Sequence, residues 1–172
     1  VVFLIIDNPL VICNKLKQID MKLERNIEKI LRIALEKREE NKTFRQLLQK
    51  QNANYVDALV NQLNDTIAAQ IDCLECGNCC HNIRPIASDK VLINYVEPEN
   101  IEKYKYSMGF ACKNLDGNKC IIYSERYDEC RMFPYLYRAD FVLRLPGVLQ
   151  NYEICPIVFN VVEQLKIKIL KT

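Results

Sequence analysis

The chain has 172 residues, 49% of them hydrophobic and 27% charged, which supplies enough apolar side chains for one packed domain and excludes global disorder. With 24 basic residues against 22 acidic ones the net charge is +2, so no overall field favours nucleic acid or an anionic membrane. The compositional outlier is thiol: nine cysteines stand beside a single histidine.

The opening apolar run, residues 1–6, stops at Asp7, Asn8 and Pro9, far short of the roughly 20 apolar residues of a membrane span. Residues 1–20 do not show the order of basic start, apolar stretch and small-residue cleavage site that marks a secretory leader. The expectation is therefore a cytoplasmic protein with no membrane partner, whose thiols stay reduced. Residues 1–20 read as an upstream extension before Met21, and Cys13 within them as a lone thiol that does not bind metal. Ile19, Leu23, Ile27, Ile30, Leu31 and Ala34 recur at three- and four-residue steps and predict an amphipathic helix, with residues 36–42 as its solvated end and turn. A second helical pattern starts at Thr43 and runs through Phe44, Leu47, Leu48, Tyr55, Leu59, Leu63 and Ile67 to Ile71. Residues 21–70 are thus expected as N-terminal helices, in one domain with a cysteine-rich metal-binding region over residues 71–172.

Beyond the first cysteines, Ser88 is placed to cap a short helix carrying Val91, Leu92 and Tyr95, and Pro98 to start another toward Tyr106. Asp116, Gly117 and Asn118 predict a turn that folds residues 112–115 and 119–123 into a hairpin and brings Cys112 close to Cys120. Ser124 is expected to cap a helical turn holding Arg126 and Cys130, which Pro134 ends. Residues 141–145 read as β-like, with a turn at Pro146 and Gly147, and a terminal helix follows Cys155 and Pro156. The expected class is mainly α with a small β-hairpin, a single cysteine-rich metal-binding domain.

Cys73, Cys76, Cys79 and Cys80 fall within eight residues, a density that points to metal. Two intervening residues let both sulfurs face one ion around a tight turn, and Gly77 suits the left-handed conformation such a turn wants. Disulfides fit poorly, because neighbouring cysteines pair only with strain and a reducing compartment disfavours them. If the helix continued past Ile71, Cys73, Cys76 and Cys80 would share a face and Cys79 would point elsewhere. Cys112, Cys120, Cys130 and Cys155 come singly, each from a different element. All eight are candidate ligands, sufficient for two four-cysteine ions or for one iron–sulfur cluster with thiols to spare. One tight run followed by an isolated cysteine before proline inclines the reading toward an iron–sulfur cluster over a zinc or iron ion.

With eight thiolates available, His81 stays off the ligand list. Arg126, four residues before Cys130, is placed to offset thiolate charge, and the tyrosines from Tyr95 to Tyr137 read as packing around the cysteines. No phosphate-cradling loop, dinucleotide fingerprint or nucleophile motif occurs, which leaves catalysis open.

The run Cys73-Leu74-Glu75-Cys76-Gly77-Asn78-Cys79-Cys80 resembles the signature of the YkgJ-type cysteine-cluster family, described as zinc- or iron-chelating domains. The blocks around Cys112 to Tyr123 and Glu125 to Pro134, and the pair Cys155-Pro156, are similar to that family's later blocks, with Tyr127 standing where the family usually has proline. The resemblance implies a metal- or cluster-binding domain. A similar cysteine pattern occurs in the longer flagellin lysine methylases, so the alternative to a binding protein is a cluster-dependent redox or methyl-transfer enzyme.

Overall fold

Helix boundaries in this chain follow side-chain caps as much as apolar spacing. The computed structural model describes residues 22–83, 88–107 and 109–170, so Cys13 and the expected extension lie outside it. Helix α1 (Ile27–Glu36) begins where the Asn26 side chain accepts the Lys29 amide at 2.8 Å, later than the Ile19 start expected from periodicity. The charged run 36–42 is not a solvated turn: only Lys37 interrupts the helix, and α2 (Arg38–Leu48) starts at once. Glu39 and Glu40 occupy its first turn, where exposed amides favour acidic side chains. The second expected helix is likewise two, because Asn52 accepts the Tyr55 amide at 3.1 Å and caps a new helix, α3 (Ala53–Ala68).

Short elements follow: α4 (Cys73–Cys76), α5 (Asn78–His81), α6 (Asp89–Leu92) and, after a 3-10 turn over Pro98–Asn100, α7 (Ile101–Tyr104). Strands β1 (Leu115–Asp116) and β2 (Lys119–Cys120) form the expected hairpin, with Leu115 opposite Cys120 and Gly117 at φ +55° in its turn. Among the described residues these are the only strands. Helix α8 (Asp128–Met132) begins after Tyr127 and not at Ser124, so Arg126 is extended and shares no helical face with Cys130.

Residues 141–145, expected as β-like, open a helix instead, α9 (Phe141–Tyr152), and Pro146 and Gly147 lie inside it. Phe141, Val142, Leu145, Val148 and Tyr152 are buried at helical steps, and that burial outweighs the one hydrogen bond Pro146 cannot donate. Both carboxylate oxygens of Asp57 on α3 accept amides at its start, from Asp140 and Phe141, each at 2.9 Å.

Helix α10 (Pro156–Leu170) packs against α3, α9 and α1 and carries the centre of the core, with Val158, Val161, Val162 and Leu165 fully buried. Even its polar residues are enclosed. Asn160 ties to the Glu24 backbone, and Lys166, 4% exposed, sits 2.7 Å from Glu163 and from Glu40. Lys37 also pairs with Glu163, and the Tyr152 hydroxyl donates to it at 2.8 Å. A second, smaller apolar cluster of Leu92, Tyr95, Val96 and Phe110 lies under the short elements, where an Ile83–Phe110 bridge joins the chain after α5 to the segment before the hairpin. No helix among the described residues is long and apolar enough to cross a membrane.

Candidate metal centre

Asp72 accepts the Leu74 amide at 2.7 Å and so starts α4, which carries Cys73 and Cys76. Gly77 ends it in the left-handed region at φ +57°, donating to the Cys73 carbonyl at 2.9 Å, and the chain re-enters helix as α5 with Cys79 and Cys80. This break changes the helical phase. Cys79, not Cys80, joins Cys73 and Cys76: all three line one small cavity together with Cys155. The cavity holds about 30 Å³ and is walled by Ile71, Phe133, Pro134 and Ile154.

Cys155 reaches this place from the far end of the chain because Asn78 donates to the Ile154 carbonyl at 2.7 Å. It immediately precedes Pro156, the first residue of α10, so the amides of Ile157 and Val158 at that helix start lie beside its sulfur and favour the thiolate. Burial pushes the Cys155 thiol up to about 12 against those amides. Burial also raises Cys73, followed by the neighbouring Cys76 sulfur, while the Arg126 charge opposes both. Arg126 was expected to serve Cys130; its guanidinium instead stacks 4.1 Å from the Tyr123 ring and acts on Cys73 and Cys80.

The other cysteines gather near the second apolar cluster. The Cys112 amide donates to the Cys80 carbonyl at 2.8 Å, and Cys112 and Cys130 pack on the Tyr95 cluster. Asn114 hydrogen-bonds the Cys112 sulfur twice, from its amide at 3.4 Å and its side chain at 3.7 Å. Cys130 Sγ and the Tyr95 hydroxyl are hydrogen-bonded at 3.6 Å. Burial raises both Cys112 and Cys130. Cys80 is held below the ordinary thiol range, chiefly because the Cys79 thiol hydrogen-bonds it. Asn114, Tyr95 and the α10 amides were not singled out from sequence. The signal for the last was present, since proline after a cysteine at a helix start places that cysteine at the N-cap.

His81 is exposed and bonds Asn118 at 2.9 Å, and Asn118 in turn approaches the Glu75 carbonyl at 3.5 Å. The hairpin turn is therefore latched to the cysteine run. All eight cysteines from Cys73 to Cys155 are free thiols.

Residues 72–156 match the model of the CxxCxxCC family, described as a putative zinc- or iron-chelating domain. The cysteine-bearing region belongs to that family. No curated protein and no solved structure matches the chain. The boundaries of the CxxCxxCC match fall on the Asp72 cap at one end and on Pro156 at the other, so they enclose all eight thiols.

Among the described residues no group of three or more His, Cys, Asp or Glu side chains is already gathered in ion-holding geometry. Neutral thiols have no attraction that would converge them; closure on an ion accompanies loss of their protons. The chemistry of the donors in this CxxCxxCC domain fits a soft or borderline ion. Sulfurs line a shared cavity, and N–H donors stand ready on Cys155 and Cys112, the outer-shell contacts that favour thiolate.

Proposed function

We propose that this chain is a metal-chelating protein that holds zinc or iron through Cys73, Cys76, Cys79, Cys80, Cys112, Cys120, Cys130 and Cys155. The observation that carries the reading is the apolar cavity of about 30 Å³ lined by Cys73, Cys76, Cys79 and Cys155, sulfurs drawn from both ends of the domain. A thiolate-bound ion of this kind supplies folding energy and, for iron, redox chemistry. The chain's own part is to present sulfur and exclude water. Ile71, Phe133, Pro134 and Ile154 shield the cavity, and the start of α10 directs amides at Cys155.

The cavity size favours single ions over the iron–sulfur cluster that the cysteine spacing suggested. One water needs roughly 10–15 Å³ by the same measure, so the space suits an ion, whereas a core of four irons and four sulfides would have to force the apolar wall apart. Eight unpaired thiols support a reducing compartment such as the cytoplasm. Purification without oxygen, followed by zinc, iron and sulfide analysis and a visible spectrum, tests the reading. Stoichiometric zinc or iron without sulfide supports it. Iron with equimolar sulfide replaces it with a cluster protein, and a metal-free, folded chain that takes up neither ion removes it.

A further inference from the structure

Adjacent residues on a helical turn do not face the same way, and Cys79 and Cys80 divide two neighbourhoods. Cys79 lines the cavity with Cys73, Cys76 and Cys155; Cys80, one residue on, does not. Cys80 instead offers its carbonyl to the Cys112 amide, and Cys112 and Cys130 rest on the second apolar cluster, whereas Cys155 belongs to the main core. Cys120 stands opposite Leu115 in the hairpin, and the Leu115 amide donates to the Cys112 carbonyl at 3.2 Å.

We propose that the eight cysteines form two separate four-thiolate sites, one of Cys73, Cys76, Cys79 and Cys155 and one of Cys80, Cys112, Cys120 and Cys130, each taking one divalent ion of the zinc class. The division rests on the metal-chelating reading and specifies it. Four thiolates satisfy a tetrahedral ion, leaving no spare sulfur in either set and each loaded site net negative. Arg126 lies at the seam, where its charge reaches Cys73 of the first set and Cys80 of the second. One positive side chain thereby tempers the repulsion between two anionic sites that neighbouring residues force close together.

The test uses the full chain loaded with zinc. Eight thiolates at four per ion predict two zinc ions per chain. Stepwise removal with a competing chelator, with released thiols alkylated and located by mass spectrometry, should yield an intermediate labelled at four cysteines besides Cys13. Those four should be Cys73, Cys76, Cys79 and Cys155 together, or the other four together. This measurement needs no variant that might misfold. In parallel, Cys155→Ser and Cys120→Ser should each keep one zinc. The within-set pair Cys76→Ser with Cys155→Ser should also keep one, and the cross-set pair Cys155→Ser with Cys120→Ser none. An intermediate whose labels mix the sets, or zinc-loaded protein holding one ion guarded by cysteines of both, overturns the division and leaves chelation standing. A chain that binds no zinc and no iron at all overturns chelation and the division with it.

Discussion

Replacing Gly77 by alanine should weaken this protein in two ways that its other glycines separate. At φ +57° an added Cβ is strained wherever it points, and here it would also stand 2.7 Å from the Asn118 carbonyl oxygen and 3.0 Å from the Asn118 Cα. The left-handed backbone alone costs roughly 1–2 kcal/mol. The neighbour is backbone of the hairpin turn and cannot swing aside, so overpacking adds roughly 1–3 kcal/mol. Gly117→Ala at φ +55° meets nothing within 4 Å and should show only the first cost. Gly147→Ala, inside α9 with open space around it, should stabilise by roughly 0.5–1 kcal/mol through helix propensity. Urea unfolding of the three zinc-loaded variants gives the order, and chelator competition gives zinc affinity, where each 1.4 kcal/mol reads as about tenfold. If Gly77→Ala costs no more than Gly117→Ala, the hairpin does not press on the cysteine run as described.

Metal removal should lower the melting temperature, because gathered thiolates repel without an ion; an unchanged curve after verified removal would count against the reading. Cys76→Ser and Cys79→Ser should each reduce bound metal per chain, since hydroxyl oxygen replaces a soft donor, while Cys13→Ser should leave it unchanged; elemental analysis decides, and full retention in both of the former refutes the assignment. Glu163→Leu should cost roughly 1.5–3 kcal/mol in urea unfolding, because the buried Lys166 keeps only Glu40 of its two carboxylate partners. Burial alone would raise the Glu163 carboxyl, but hydrogen bonds from Lys166 and Lys37 outweigh it and hold it below 4.5. Its contribution is thus fully present above pH 4.5 and lost as pH falls through the folded value, so below pH 4.5 the wild type should lose stability more steeply than Glu163→Gln. Asp57→Ala, which strips the start of α9 of both acceptors, should cost roughly 1–2 kcal/mol by the same unfolding assay.

The cysteine-rich family region, the hairpin at Gly117 and the terminal helix α10 were legible because each rests on local chemistry: thiol spacing, a left-handed turn and a helical period. What escaped depended on contacts between distant residues. Residues 141–145 are apolar apart from Arg144 and precede Pro146-Gly147, which reads as strand and turn; they are helical because α3 and α10 pack against them and Asp57, far earlier in the chain, supplies the missing cap. The pairing of Cys79 rather than Cys80 with Cys73 followed from a smaller cause. Gly77 was recognised as a left-handed residue, but its effect on the helical phase beyond it is set by three-dimensional continuation. Arg126 shows the same limit, since a four-residue spacing predicts a shared face only where the helix actually includes both residues.

Cys73 and Cys155 stand at opposite ends of the CxxCxxCC domain yet line one cavity, and the second of them is the first step onto the core helix α10. An ion bound by both is a removable cross-link. It closes a loop on the order of 80 residues, which in chain-entropy terms takes about 4–5 kcal/mol of freedom from the unfolded chain, comparable to a long-range disulfide. Unlike a disulfide, such a clasp persists in a reducing compartment and opens when free metal runs low. The short helices and the hairpin, which own little apolar surface, then hang on metal supply, while α3, α9 and α10 keep their own packing.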